Sequence, residues 1–360
     1  MKIVAMVVAA MLIAPAVVAQ TTQRLTATKA NDYGLMYSLP VTAVNVTVEA
    51  QITVKRPGEF AKYAAKYLNV VDPILESSTS VEVKSVVIST SGVPNESERY
   101  LVSLKSGRAP YIILSEDNIP LSINTEQVYE PNEVELPVSV AAEPTPLETA
   151  AARQVITQEM LQSHSSAKRA ELAAEQIYSL RQSRTDIITG QAEQMPPDGA
   201  AMQMVLENIN AQEQALMAMF IGTTSVSTHV RTMQIVPDGD ITNQVVARVS
   251  AEKGVVEASD LSGMPVYLTL KVTKEGELPV NDKGEQLTMP KGGVAYCIPG
   301  KTQISVKFDG VTMAEKEVDM AQFGVVYGMN PANFSDKKAP VFLLFDPRTG
   351  AAVEVGPATL

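Results

Sequence analysis

Two histidines, one cysteine and 40 acidic residues are the raw material for chemistry in this chain of 360 residues. His164 lies in a serine-rich junction and His229 alternates within a strand-like run. Neither has a base or ligand partner nearby in sequence, so both read as solvated or structural residues. Cys297, in "VAYCIPG", follows an aromatic in another strand-like run and reads as a small buried hydrophobe. With no second cysteine there is no internal disulfide, so stability has to come from packing. HExxH, paired CxxC and GxSxG signatures are absent, which removes the common zinc-hydrolase and serine-hydrolase signals. Glycine-rich phosphate loops are missing too, and no cofactor is expected.

Ser165-Ser166-Ala167-Lys168 fits S-x-x-K, in which a lysine activates a serine at the start of a helix. Its usual S-D-N and K-T-G partners are absent, and helix capping by Ser165 or Ser166 is the simpler reading. Asp238-Gly239-Asp240 with Asn243, and Asn281-Asp282 with Glu285, offer oxygens to a calcium ion. Neither has EF-hand spacing, and both fall where polar turn residues belong. No catalytic, cofactor-binding or metal-binding residue is therefore assigned. What remains is a surface. Arg181 and Arg184 stand beside a helical seam, and Met202, Met204, Met217 and Met219 recur on the next helical run. Arg181, Arg184, Met202 and Met217 form the expected interaction face. Pairing of the arginines with Glu207 or Glu213, and gap-filling by the methionines, are the plainer roles.

The elements that must position this face are legible from periodicity. Val44, Val46, Val48, Ala50, Ile52 and Val54 alternate with polar residues, which predicts a half-buried antiparallel strand with one wet face. Pro57-Gly58 then breaks the chain, and Phe60, Tyr63, Ala64 and Tyr67 have the spacing of a short helix lying on the sheet. Separate strands are expected at "SVEVKSVVIST", "RYLVSL" and "APYIILS". A polar, proline-spaced connection follows, in which Thr145-Pro146-Leu147-Glu148 starts a helix ending near Gln162 to Ser165.

From Ser166 to Glu193, and again from Met202 to Met219, apolar residues recur at spacings of three and four. Two such runs joined by "QMPPDG" predict an antiparallel helical hairpin roughly 30 to 40 Å long that projects from the body. The tip needs no functional reading: Pro196 and Pro197 stop one helix, Asp198 and Gly199 suit a turn. Strand patterns return after Gly222, with Asp309-Gly310 a hairpin turn. "MAQFGVVYGM" is compatible with a short helix or an edge strand. The expected fold is α+β, a mainly antiparallel, sandwich-like β body with an inserted hairpin. Its parts are a signal peptide over 1–19, a β region over 20–144, the hairpin over 145–222 and a second β region over 223–360, the two β regions open to forming one body.

The signal reading rests on Lys2, the apolar run Ile3 to Ala19 and the small residues before Gln20. A membrane anchor is the other use of such a run, but Pro15 and the small residues favour cleavage. The expected mature protein is periplasmic or envelope-associated, with no later segment of spanning length. The net charge of -11, with no dense basic run, makes nucleic acid and anionic membranes poor partners. Aromatics make up 5% and tryptophan is absent, which weakens sugar stacking.

Several stretches carry a resemblance: "YSLPVTAVNVTVEAQITVKRPGEFAKYAAKYLNV" from Tyr37, "AAEQIYSLRQSRTDIITGQAEQMPPDGAAM" from Ala173, "MFIGTT" from Met219, "MAQFG" from Met320 and "DPRTGA" from Asp346. Together and in this order they resemble an exported Bacteroidetes family known only as a domain of unknown function. Where that pattern has Lys-Thr after Tyr-x-Leu-Pro, Val41 precedes Thr42 here, so no role passes to a lysine. The resemblance implies an envelope location and a similar architecture, and it brings no activity. The expectation is a non-enzymatic binding or assembly protein whose partner is an envelope protein or a second copy. The alternative is an envelope glycan or peptide hydrolase working through carboxylates that sequence spacing cannot identify.

Overall fold

The structure, a computed structural model, describes residues 34–103, 111–132, 134–193, 199–290, 293–336 and 338–358. The signal segment 1–19, the lead-in up to residue 33 and the Gln194 to Asp198 part of the helix connection lie outside the described residues. The fold is mixed and rich in antiparallel strand. Strands β1 (Gly34–Arg56), β2 (Ser78–Ser103) and β5 (Thr223–Ile235) form one sheet in the order β2-β1-β5. Strands β6 (Ile241–Ser250), β7 (Gly254–Glu257), β8 (Met264–Lys274), β9 (Val294–Phe308) and β10 (Val311–Met329) form a second, ordered β10-β9-β8-β6-β7. A third sheet joins β12 (Ala352–Pro357), β11 (Val341–Phe345), β4 (Pro120–Ile123) and β3 (Ile112–Leu114).

The alternation in β1 does what its period demands: Val44, Val46, Val48, Ala50 and Ile52 are buried. The first four of them share one apolar core with Val86 and Ile88 of β2 and with Leu268, Leu270, Ile304, Val306 and Met320 of the second sheet. Residues from both ends of the chain thus bury one another. The opposite face of β1 is less wet than expected. Thr47 is 1% exposed and its hydroxyl meets that of Thr232 at 2.8 Å, because β1 is flanked by a strand on each side. The two strands expected at "SVEVKSVVIST" and "RYLVSL" are one strand. The register of β2 against β1 jumps between Pro94 and Arg99, so the Asn95 to Glu98 turn bulges out without ending the strand.

"MAQFGVVYGM" lies in β10, the edge strand of its sheet, with a register shift between Met320 and Val325. At the β9–β10 hairpin Asp309 and Gly310 have φ of 47° and 76°, the left-handed pair a tight type I′ turn requires.

The helix expected from Thr145 to Ser165 is broken into three. Thr145 and Glu148 form a capping box on a 3-10 turn at Pro146–Glu148, followed by α2 (Ala150–Gln154) and α3 (Gln158–Gln162). Thr149 and Thr157 take extended backbone angles that end one piece and begin the next. Helix α1 (Ala64–Leu68), preceded by a 3-10 turn at Ala61–Tyr63, does not lie on the sheet as expected. Phe60 instead stacks on Phe220 at 5.4 Å, and its backbone N–H donates to the Met219 carbonyl, so this turn caps the long helices.

Those helices are α4 (Ser166–Thr189) and α5 (Gly199–Ile221). Ser165 caps α4 by accepting from the Lys168 N–H, and Gly190 ends it at φ 73°. Their shared cluster sets Ala170, Ala173, Ala174 and Ile177 against Ala215, Leu216, Met219 and Phe220. The small side chains let the two backbones come close. A short helix α6 (Ala332–Ser335) follows β10, and its Phe334 is buried with Phe345 and Leu343. Among the described residues no helix is long and apolar enough to cross a membrane.

Candidate functional site

Three of the four residues of the expected interaction face meet between α4 and α5. Arg181 and Arg184 are one turn apart on α4, so their side chains leave the same face. Both reach Glu213 of α5: Arg181 Nε lies 2.6 Å from Oε1 and Arg184 Nη1 lies 2.5 Å from Oε2. Arg184 also donates to Asn210 Oδ1 at 2.9 Å, and Arg181 Nη2 lies 3.5 Å from Met217 Sδ. Glu213 is only 9% exposed, so its carboxylate needs both partners to offset its lost hydration. The arginines remain partly exposed and retain donors that no protein group uses.

These side chains line an open cleft of about 540 Å³, with Pro146, Gly222 and Thr223 forming the wall toward the β body. Two guanidiniums against one carboxylate leave a surplus of one positive charge. The arrangement can hold an anionic or hydrogen-bond-accepting group. Met202 is not part of it, lying 15 residues earlier on α5, about 22 Å away along the helix. Glu207, the other expected partner, accepts instead from Gln203 at 2.9 Å.

The remaining candidates have structural roles. His164 is exposed, and His229 packs over Gly254 with its Nε2 3.2 Å from the Ser227 hydroxyl. Cys297 is buried, and that burial pushes its thiol up to about 12. Ser165 is the helix cap, and Lys168 pairs with Glu171. Asp240 accepts from the Val272 N–H of β8, and Asn281 accepts from the N–H groups of Lys283 and Glu285 to close a turn. Among the described residues no group of three or more His, Cys, Asp or Glu is placed to hold a metal ion.

A second constellation was not legible in advance. Thr42, fully buried, donates its hydroxyl proton to the Arg348 carbonyl at 2.9 Å and accepts from the Ala321 N–H at 3.0 Å. Its own N–H and carbonyl are both bonded to the Gln322 amide, which also donates to Pro237. The Arg348 side chain turns back to grip Asp346 through two nitrogens, at 2.9 and 2.6 Å, and this contact raises the arginine's pKa further. Beside this knot lies a groove of about 940 Å³ bounded by Ser89 to Gly92, Asp117, Glu130, Lys316 and Arg348. The only advance signal was that "LPVT", "MAQFG" and "DPRTG" are among the stretches that carry the family resemblance.

No curated protein and no solved structure matches this chain. A family match spans nearly the whole of it, from residue 33 to residue 353, and takes in the motifs that build both the helix cleft and the Thr42 knot. The chain belongs to the family described as a domain of unknown function, DUF4831.

Proposed function

We propose that this is a non-enzymatic, exported envelope protein whose sandwich-like β body and helical hairpin serve binding or assembly, with the cleft at their junction as the contact site. The carrying observation is the Arg181–Glu213–Arg184 cluster, in which a nearly buried carboxylate fixes two half-exposed guanidiniums at the mouth of a cleft. Pre-set arginines of this kind recognise carboxylate-bearing partners without first having to be ordered. The lack of a later spanning segment and the signal-like first nineteen residues support export.

The hydrolase alternative has its best pair in Asp117 and Glu130, which share the large groove. Both are solvent-exposed, whereas acid–base hydrolysis needs one carboxyl held protonated by a poorly hydrated setting. That difference favours binding.

Deleting the hairpin would remove buried Ile177, Leu216 and Phe220, so a gentler test is needed. A photo-cross-linking residue at exposed Gln214, on the cleft, and another at exposed Lys307, on the β body, should be compared in intact cells. The expected outcome is a discrete product from Gln214 alone that is lost in Arg184→Ala. Equal products from both positions, or none from Gln214, would defeat the proposal. Fractionation of the tagged full chain tests the location: recovery in the cytoplasm would overturn export.

A further inference from the structure

We propose that the groove beside the Thr42 knot is a second binding site, built to take an extended polypeptide strand between two backbone walls. The first wall is the open edge of β2. That strand pairs only with β1, and of every antiparallel strand half the N–H and C=O groups point away from its partner. Four consecutive residues, Ser89 to Gly92, line the groove. Because successive side chains point to opposite faces, four in a row can share one groove only if it runs along the strand's edge.

The second wall is the connection formed by residues 128–132 and 134–138, with Glu130, Pro131, Asn132, Val134 and Leu136 on the groove. Among the described residues none of its backbone groups takes part in a hydrogen bond, and only at Ser139 and Val140 does it join β5. A segment entering between these walls would find unpaired donors and acceptors on both sides, which is the requirement for strand addition.

Elsewhere the edge of β2 is blunted. Charged Glu82 and Lys84 occupy one part and the Pro94 to Arg99 bulge another, as in proteins that guard against edge pairing. The unblunted stretch is the one that faces the groove. Its floor is set by Gly92, where any Cβ would collide with the Pro347 carbonyl oxygen, so a side chain there would push the Asp346–Gly350 turn away.

The lining also selects the class of occupant. Among the described residues none that lines the groove is aromatic, which disfavours a sugar stacked on rings. Arg348 is already held by Asp346, so among the described lining residues Lys316 stands against Asp117 and Glu130, which disfavours an acidic ligand. Val134 and Leu136, 40% and 46% exposed, offer two apolar contacts at alternate positions. The fitting ligand is a peptide strand without acidic residues and with apolar side chains at every second residue. Four residues of β2 correspond to a recognition length of about 13 Å.

The test is selection from a displayed library of random decapeptides on the full-length protein, counter-selected on Asn132→Trp, which fills the groove from its exposed wall. Val134→Arg replaces that variant if its thermal unfolding differs from wild type. The expected result is peptides that bind wild type at least about tenfold more tightly than the filled variant, and whose alternately N-methylated copies lose about the same factor. On binding, those amides among Ser89 to Gly92 that point away from β1 should become protected from hydrogen exchange. Three results would overturn the proposal: no peptide preferring wild type, equal binding of N-methylated copies, or protection confined to the helix cleft. Loss of peptide binding in Asn132→Trp with Gln214 cross-linking intact would show that the two sites are independent.

Discussion

The β body and the helical layer bury apolar surface in different ways. In the body, branched residues from strands far apart in sequence interlock: Val44 and Val46 with Val306, Leu268 and Met320. In the layer, four alanines and a few large residues close a seam between two neighbouring helices, and toward the far end that seam gives way to the Arg181–Glu213–Arg184 cluster. The body is therefore non-local and volume-filled, the layer local and thinly buffered. A cavity in the body should weaken everything, whereas damage to the layer should stay in the layer.

The comparison breaks most visibly under truncation of core residues. Leu268→Ala removes a fully buried side chain and should cost about 4 kcal/mol in denaturant unfolding. Alkylation of Cys297 should shift to lower denaturant in step with it. Leu216→Ala should cost about 3 kcal/mol in the α4–α5 seam. Its signature is faster hydrogen exchange in α4 and α5 with Cys297 still protected. If Cys297 opens equally in both variants, the two regions are one cooperative unit.

Alkali should separate them by a different route. Burial raises the thiol of Cys297 from 9.0 to about 12, and burial also raises the pKa of Tyr37. The native state thus holds these protons more tightly than the unfolded chain. That stabilisation is complete below pH 9 and is lost as pH rises toward 12, by about 1.4 kcal/mol per unit for the thiol alone. Unfolding measured from pH 7 to 11 should be flat to about pH 8.5 and then fall. The smallest effect is expected from Glu213→Gln, which keeps an acceptor for the arginines but removes the charge. About 1 kcal/mol should be lost, confined to helix-end exchange, and it should shrink in salt.

What could be read in advance follows the same division. The alternation of β1, the Asp309-Gly310 turn, the Ser165 cap and the arginine partnership with Glu213 are encoded by neighbours a few residues apart or by helical period. Met202 was misplaced because period gives the face of a helix and not the height along it. The break-up of the Thr145 helix was missed because extended Thr149 and Thr157 answer to where Ala152 and Met160 are buried. The Thr42 knot was invisible for a plainer reason: its partners stand 279 to 306 residues away, and spacing of that order has no local signature.

That separation also orders events while the chain is being made. β1 and β2 can pair as soon as both have emerged, yet the second edge of β1 waits for Thr223–Ile235, and Thr42 has no acceptor until Arg348 arrives. A nascent chain therefore carries its two longest strands, 23 and 26 residues, half-covered through most of its synthesis. Such a chain keeps strand edges open until the final turn closes, which is the order that long-range contacts impose.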